Sequence, residues 1–331
     1  DFVAYLNEFH TYDQPYDDRM DAELHEQYAR ILREQSKWGY FDFNSRPFFS
    51  PSSAGRCDRE LYEKVRKSPK DKRAWQPQQR RWTALGGAVG ELIQREIMLA
   101  ERHYKKFTGK EPRFKFARTE RGEPCFEHFT KKMHEIEHDG EKFAIFGLGD
   151  GILEYTDEET GEVLRVGLEV KSKQQSYADT SERRLQRPKL DHSLQTVCYS
   201  EMYGIDYFII LYVNTAKKAW DMTDEDRRKS PDIRAFGAYI TQQERNNVLD
   251  KFAEIVRRVR EEGAPLPDLS AWKFNEYKTA IAQGLTDEEV EQLRKTAERA
   301  QKSGLQDWQK RSYAEAIEEI ESIREGLRKE M

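Results

Sequence analysis

Residues 146–173 place three charged side chains on two apolar segments that a short turn separates. Asp150 lies in the first segment, and Glu169 and Lys171 lie in the second. Because alternate residues of a strand share a face, Glu169 and Lys171 point the same way, and a hairpin turned at 157–162 brings Asp150 beside them. The spacing therefore predicts two carboxylates and one ammonium group at one point of a sheet.

Such a group suits a metal-assisted hydrolysis. Crowded carboxylates resist ionising unless a divalent cation joins them, and hard oxygen ligands favour Mg²⁺, with Mn²⁺ as a substitute. A cation there polarises a phosphate and lowers the pKa of bound water, while Lys171 stabilises developing charge or orients the nucleophile. The alternative is a surface hairpin in which Glu169 and Lys171 form an ordinary pair worth about 0.2–1 kcal/mol.

Composition favours one elaborated domain or a domain with a helical appendage. The chain has 331 residues, and its net charge of −5 argues against a uniformly basic coat but allows a local basic groove. Three scattered cysteines, Cys57, Cys125 and Cys198, fit neither a disulfide framework nor a four-ligand site, so we expect a reducing, cytoplasmic location. The longest apolar run, 207–213, is far shorter than the ~20 residues of a membrane helix, so we expect no membrane partner.

Hydrophobic periodicity predicts helices at both ends of the chain and a sheet between them. Short alternating runs from 113 to 173 predict antiparallel strands, and a helix ended by Gly204 precedes an apolar strand at 206–214. Helices are also predicted at 20–37 and 78–106, and a short helix capped by Ser52 or Ser53 is predicted to end near 67. Two capping boxes predict further helices: the Thr241–Glu244 box starts one that ends at about 262, and the Thr286–Glu289 box starts a charged helical segment that reaches 331.

The expected fold is therefore α/β, with a mixed β-sheet core flanked by helices. The expected domains are a helical N-terminal lead-in over 1–49, a core over 50–262 and a helical C-terminal extension over 263–331.

Two predicted helices carry polar residues that accompany the charged strands. Glu91 follows a group of glycines, Gly86, Gly87 and Gly90. Each glycine costs about 1 kcal/mol relative to alanine inside a helix, which indicates close approach of the helix to the sheet. The helix after the Glu-x-Lys strand bears Gln195 and Tyr199 on one face. Taken alone, Glu91 fits an exposed helix glutamate and Tyr199 a core residue.

The order of these features resembles the PD-(D/E)XK nuclease superfamily. It is most similar to the branch of phage lambda exonuclease, RecB-like and CRISPR-associated exonucleases. The features are Gly-x-x-x-Glu on a helix, Asp in a strand, Glu-x-Lys in the next strand and Gln-x-x-x-Tyr on the following helix. The upstream segment SSAGRCDRELYEKV also resembles the Ser-rich helix start of that branch. The resemblance covers about 50–213 and implies a restriction-endonuclease-like core.

The resemblance implies a Mg²⁺-dependent DNA exonuclease of the phage or recombination type, with Mn²⁺ as a substitute metal. Its implied metal ligands are Glu91, Asp150, Glu169 and the carbonyl of Val170, and its implied catalytic residues are Asp150, Glu169, Lys171 and Gln195. Tyr199 would support the substrate or the lysine. The chain departs from the family in carrying Leu148-Gly149 where a proline precedes the aspartate, and in having only Cys57 as a counterpart of four cluster cysteines, so we expect no iron–sulfur cluster.

A DNA path is expected beside the site. The residues predicted to contact DNA are Ser53, Arg56, Arg59, Tyr177, Arg183, Arg184, Arg187 and Tyr199. The first three are also expected to form a pocket for a terminal phosphate. For the loop arginines, a solvated charged surface is the alternative. The acidic segment after Thr286 would limit non-specific binding or serve a recombination or single-strand-binding partner protein, and a homo-oligomer is also compatible with the sequence.

Two rival functions stay open. One is a structure-specific or restriction-like endonuclease, and the other is a non-catalytic nucleic-acid-binding module with a nuclease-like fold. The intact Asp150, Glu169 and Lys171 count against the second. The motifs set neither the cleavage polarity nor strandedness, nor the choice of DNA over RNA, because these depend on groove shape.

Overall fold

The computed structural model describes residues 1–12, 16–72 and 74–330, with side chains up to residue 326. Within these ranges the helices are α1 Phe2–Phe9, α2 Asp18–Gln35, α3 Asp58–Val65, α4 Pro77–Thr108, α5 Leu190–Tyr203, α6 Asp224–Lys229, α7 Gln242–Arg260, α8 Lys278–Gly284, α9 Asp287–Lys302 and α10 Asp307–Glu330. The strands are β1 Phe48–Phe49, β2 Phe114–Phe116, β3 Lys132–His138, β4 Glu141–Gly147, β5 Gly151–Thr156, β6 Val163–Lys173, β7 Tyr207–Asn214 and β8 Ile233–Tyr239.

The strands form two mixed sheets. The larger sheet has the order β2-β5-β6-β7-β8, with β6 and β7 parallel and the other neighbours antiparallel. The smaller sheet has the order β1-β4-β3, with β1 parallel to β4. A parallel pair needs a crossover connection, and α5 supplies it between β6 and β7. The predicted α/β class, with a mixed sheet between helices and helical terminal segments, is confirmed.

Two hydrophobic clusters cover the larger sheet, one on each face. One joins α1 and α4 to residues of β2, β5, β6 and β7, and the other joins α3, α5 and α7 to the smaller sheet and to β5 and β7. The adjacent β5 residues Ile152 and Leu153 belong to different clusters. Because neighbouring strand residues point to opposite faces, the sheet lies between the two helical layers.

The C-terminal helices α8, α9 and α10 have a hydrophobic cluster of their own. It is built around Trp272, Ile281, Leu293 and Ile320. Residue 331, the last of the predicted helical extension, lies outside the described residues. The division at 49 and 262 stays a prediction. Among the helices described, none combines the length and the apolar character that crossing a membrane requires.

The local predictions succeeded where a regular period or a capping box marks an element. The helix predicted at 78–106 is α4, and the two predicted capping boxes are present at α7 and α9. The predicted serine cap is wrong. Pro51–Ser53 forms a 3-10 turn, in which the Ser53 hydroxyl donates to the carbonyl of Ser50, and α3 starts only after Cys57.

Candidate active site

The β5–β6 hairpin brings Asp150 to the edge of β6. Gly151 pairs with Leu168, so Asp150 stands next to Glu169 at the point where β5 begins. A Cβ on Gly151 would lie 2.8 Å from the ring of Phe116, so only glycine lets that ring pack there. The Asp150 carboxylate accepts a hydrogen bond from the backbone N–H of Val170 at 2.6 Å. The carboxylate of Asp150 therefore accepts the hydrogen bond that the backbone of a further β5 residue would otherwise accept from Val170.

Glu169 and Lys171 meet beside that edge. The Lys171 Nζ lies 2.5 Å from Oε1 of Glu169, which is 1% exposed. The other carboxylate oxygen, Oε2, is buried and has no hydrogen-bond partner among the described residues. An unpartnered buried carboxylate oxygen is costly. It indicates that a cation or a proton belongs next to Glu169.

The pKa values of both carboxylates reflect this crowding. Burial raises the pKa of Asp150, although the Val170 N–H and Lys171 oppose that rise. Burial, and then the negative charge of Asp150, raise the pKa of Glu169 to about 8, while Lys171 lowers it. Without a metal, the pair therefore retains a proton near neutral pH.

A third carboxylate, Glu127, lies close to Asp150 and was not predicted from the sequence. It belongs to a 3-10 turn, where its φ of +47° is a costly backbone conformation for a residue other than glycine. Its N–H donates to the carbonyl of Gly149 at 2.8 Å. Burial, then Asp150, raise the pKa of Glu127 to about 7. No motif or periodicity marks Glu127, so only the folded chain reveals it.

The α4 residue that contacts this group is Gln94. Its amide lies 2.9 Å from the carbonyl of Asp150 and 3.3 Å from the carboxylate of Glu127. Gln94 is buried, whereas Glu91, one turn earlier, is exposed. Glu91 and Glu127 line the same cavity of about 670 Å³ between α2 and α4. The predicted ligand Glu91 therefore faces Glu127 across a cavity and has no hydrogen bond to Asp150 among the described contacts.

The tight packing expected at the α4 glycines is not present. A Cβ on Gly86 would lie 3.5 Å from the hydroxyl of Ser172, and one on Gly90 would lie 3.9 Å from Glu127, both ordinary contact distances. A Cβ on Gly87 would meet nothing within 4 Å. A side chain would therefore fit at each of these positions: Gly86 lies at contact distance from β6, and Gly87 lines the cavity between α2 and α4.

A chain of hydrogen bonds holds Lys171 from the α5 side. Lys171 Nζ donates to Oε1 of Gln195 at 2.8 Å, and Nε2 of Gln195 lies 3.4 Å from the hydroxyl of Tyr199. That hydroxyl donates to the carbonyl of Leu148 at 2.6 Å. Tyr199 is only 6% exposed, so its predicted contact with DNA is corrected to a buried supporting position.

The nearby His192 is not suited to proton transfer at neutral pH. Its Nδ1 lies 2.8 Å from the hydroxyl of Tyr212. Burial, then the charge of Lys171, lower the pKa of His192 to about 4. The ring is therefore neutral at physiological pH.

The structure contradicts the predicted DNA contact of Arg59. Its side chain is 1% exposed, and its Nε lies 2.9 Å from the carboxylate of Glu63, which is equally buried. It also donates to the carbonyl of Pro265 at 3.1 Å. Residues of the C-terminal segment cover this face of α3, so the guanidinium cannot reach a phosphate.

The predicted pocket for a terminal phosphate is also changed. The Ser53 hydroxyl is engaged with the carbonyl of Ser50. Arg56 donates to the carbonyl of Phe274 at 3.1 Å and lies 3.5 Å from the carboxylate of Glu60. Arg56 and Ser53 do line a cavity of about 200 Å³, but acidic side chains line it as well. An anion site built from Ser53, Arg56 and Arg59 is therefore not supported.

The loop after β6 keeps its predicted basic residues at the surface. Arg183, Arg184 and Arg187 are exposed, and Tyr177 is 44% exposed. Arg184 forms an ion pair with Asp179 at 3.1 Å. A DNA contact by these four residues remains a prediction.

The donor set at β5 and β6 fits a hard divalent cation. Asp150 and Glu169 offer carboxylate oxygens, one of them buried and unpartnered. The carbonyl of Val170 points to the same sheet edge as its N–H, because both groups of a strand residue lie on one side. Among the described residues, the group of three His, Cys, Asp or Glu side chains whose ligand atoms lie within 4.8 Å of one another is His138, Asp139 and Asp250, two of which are exposed; Asp150, Glu169 and Glu127 do not form such a group.

Comparisons with known proteins give no family. No protein-family model and no curated protein matches the chain. Among solved structures it is similar to SSO0001, with 13% identity and a TM-score of 0.39, over 78% of this chain and 95% of that one. It is also similar to an alkaline exonuclease, LHK-Exo, from Laribacter hongkongensis, with 12% identity and a TM-score of 0.34, over 65% and 88% of the two chains.

The same exonuclease in complex with dAMP gives 12% identity and a TM-score of 0.33, over 64% of this chain and 88% of that one. At such TM-scores a likeness establishes neither a shared fold nor a shared activity. The function is therefore inferred from the site itself.

Proposed function

We propose that this chain is a metal-dependent nuclease that hydrolyses phosphodiester bonds of DNA, acting as an exonuclease. The observation that carries the proposal is the buried, unpartnered Oε2 of Glu169 beside Asp150 and Lys171. A structural ion pair would satisfy both carboxylate oxygens, whereas a metal site leaves one free for its ligand. The exonuclease type, and a role in phage or recombination DNA processing in the cytoplasm, rest on the order of motifs.

Asp150, Glu169 and the carbonyl of Val170 would hold Mg²⁺ or Mn²⁺. That cation would polarise the scissile phosphate and lower the pKa of an attacking water. We assign Glu127 as the third carboxylate of the site, because it lies beside Asp150 and shares Gln94 with it. Glu91, facing the same cavity, would contact the site from the solvent side.

Lys171 supplies positive charge next to the carboxylates. Its ammonium group is held between Glu169 and Gln195, so it is fixed before the substrate arrives. A fixed charge stabilises negative charge that develops on the phosphate without having to reorganise first. Gln195 orients Lys171, and Tyr199 in turn limits the movement of Gln195. Both are positioning residues in this proposal.

Cleavage of linear and closed circular DNA tests the proposal. With Mg²⁺, we expect progressive loss of a linear fragment from its ends, survival of the covalently closed circle, and no loss of either in EDTA. Gel electrophoresis over time measures both. Nicking of the circle as fast as digestion of the linear fragment would support a restriction-like endonuclease instead. Binding of DNA without metal-dependent cleavage would support a non-catalytic binding module.

The stability of the metal-free protein should fall as pH rises. The pKa of Glu169 is raised to about 8 and that of Glu127 to about 7, from the usual 4.5, so the folded state holds protons that the unfolded state releases. Their contribution to the free energy of unfolding is complete below about pH 4.5 and is lost as pH rises through 7 to 8.

Thermal melts in EDTA across that range measure this effect. In Glu169→Gln the dependence on pH should be weaker, because the amide does not titrate. Added Mn²⁺ should raise the melting temperature most at pH 8, where the cation no longer competes with protons. Equal pH dependence in the native protein and in Glu169→Gln would contradict the assignment.

A further inference from the structure

A second cavity, of about 1120 Å³, opens next to the proposed active site. It lies between the first part of α4 and the loop that precedes α5, at the end of β6. Its walls include Ser172 and Lys173, which follow Lys171 directly in β6. This basic cleft, as we call it, is defined by Trp82, Lys173, Arg184, Arg187 and Lys189. The cleft thus begins at the residues of β6 that directly follow Lys171.

The basic cleft carries unbalanced positive charge. Its single acidic residue, Asp179, pairs with Arg184. Among the residues that the structure describes, no carboxylate forms an ion pair with Lys173, Arg187 or Lys189. Burial, then the charge of Lys189, lower the pKa of Lys173, while Asp179 and Asp191 oppose that change. In a chain with a net charge of −5, this excess identifies a local site for a polyanion.

Trp82 gives the cleft an aromatic surface. The residue is 46% exposed on α4, although an indole of that size is usually buried. Nε2 of Gln174 lies 3.4 Å from the carbonyl of Trp82, and this contact links α4 to the end of β6. Lys173 Nζ lies 5.1 Å from the centroid of the Tyr212 ring and forms no ion pair among the described residues. An aromatic ring beside such cations is the combination with which proteins bind single-stranded nucleic acid, through stacked bases and paired phosphates.

We propose that the basic cleft binds single-stranded DNA, with one base stacked on Trp82 and its phosphates on Lys173, Arg187 and Lys189. In a duplex both faces of an internal base are covered by neighbouring base pairs, so a protein ring can stack only on an unpaired base or on the outer face of a terminal pair. The proposal rests on the proposed nuclease function for its substrate class. It assigns strandedness, which the motifs leave open.

Binding measured without metal tests the cleft separately from cleavage. Fluorescence anisotropy in EDTA compares a labelled oligothymidylate with the same strand annealed to its complement. Trp82→Ala should weaken single-strand binding about ten-fold or more, with a much smaller effect on the duplex. Trp82→Phe should retain most of the affinity, because it keeps a ring. Trp308→Ala is the matched control, because Trp308 is also an exposed tryptophan but lies on α10, and this variant should bind the single strand with native affinity.

The charge of the cleft is tested by salt. In Lys173→Gln, the slope of log affinity against log salt concentration should become shallower by about 0.7, the value for one lost phosphate contact to a single strand. Lys295→Gln, on the exposed side of α9, should keep the native slope. Thermal melts of each variant confirm that it is folded.

The outcomes separate the two proposals. Native single-strand affinity in Trp82→Ala, together with a native salt slope in Lys173→Gln, would overturn the cleft assignment even if the protein cleaves DNA. Duplex binding as tight as single-strand binding would overturn it too. Loss of single-strand affinity in these variants would support the cleft even if no cleavage were found, and would leave only the nuclease proposal refuted.

Discussion

Glu169→Gln should lower phosphodiester cleavage about 10³-fold and leave the protein folded. The substitution keeps the shape of the side chain but removes a charge that a divalent cation requires. Above about pH 8, where Glu169 is charged in the metal-free protein, the amide also relieves repulsion with Asp150, although it weakens the contact with Lys171. In EDTA the melting temperature should therefore be unchanged or higher. Asp150→Asn should lose cleavage similarly, although it also weakens the hydrogen bond from Val170.

Initial cleavage rates with Mg²⁺, together with melts in EDTA, measure these effects. Glu154→Gln is the matched control, because Glu154 lies on β5 of the same hairpin but is exposed, and it should cleave at the native rate. Terbium luminescence or calorimetry with Mn²⁺ gives a readout independent of activity. If Glu169→Gln retained either native cleavage or native Mn²⁺ affinity, the metal site would have to lie elsewhere.

Arg59→Met should destabilise the protein by about 3–5 kcal/mol. Arg59 and Glu63 are both 1% exposed, so removing the guanidinium leaves the buried carboxylate of Glu63 with only the longer contact to Arg66, at 3.8 Å, as counter-charge. The hydroxyl of Ser68 still donates to Glu63 at 2.6 Å, but a neutral donor replaces only part of the interaction. The variant also loses the hydrogen bond to the carbonyl of Pro265. Urea unfolding measures the change.

Two further variants make this result specific. Arg59→Met combined with Glu63→Leu should recover much of the lost stability, because no buried charge is left behind. Arg56→Met is the control. Arg56 lies three residues before Arg59 and its side chain is more exposed, so this substitution should change the free energy of unfolding little. A stable Arg59→Met protein with reduced affinity for DNA would restore the sequence-based assignment of Arg59 to phosphate binding.

The sequence predicted those contacts between site residues that follow from a short hairpin, from strand alternation or from the order of neighbouring elements in the chain. Asp150, Glu169 and Lys171 converge because the hairpin at 157–162 is short and alternation fixes which side chains share a face. Gln195 reaches Lys171 because α5 is the crossover from β6 to β7. Each of these relations spans few residues or follows from a regular period.

The sequence could not predict relations that depend on distant packing. Arg59 is buried by a segment about 200 positions further along the chain, which no helical pattern in α3 reveals. Glu127 joins Asp150 only because its turn bonds to Gly149. Glu91 matched the motif, yet the rotation of α4 points Gln94 inward and leaves Glu91 exposed. Trp82 belongs to no motif, and its proposed role follows from the cations that line the same cleft in the folded chain.

The alternation along β6 has a consequence for the path of a substrate. Glu169, Lys171 and Lys173 occupy every second position, so their Cα atoms recur at about 6.7 Å along one face. The negative end of this row adjoins Asp150, and the positive end opens into the basic cleft. On the proposed function, a phosphate chain held at Lys173 would lie along β6, two strand repeats from the carboxylates of the proposed metal site. The strand therefore sets the spacing between the part of the substrate that is bound and the part that would be hydrolysed.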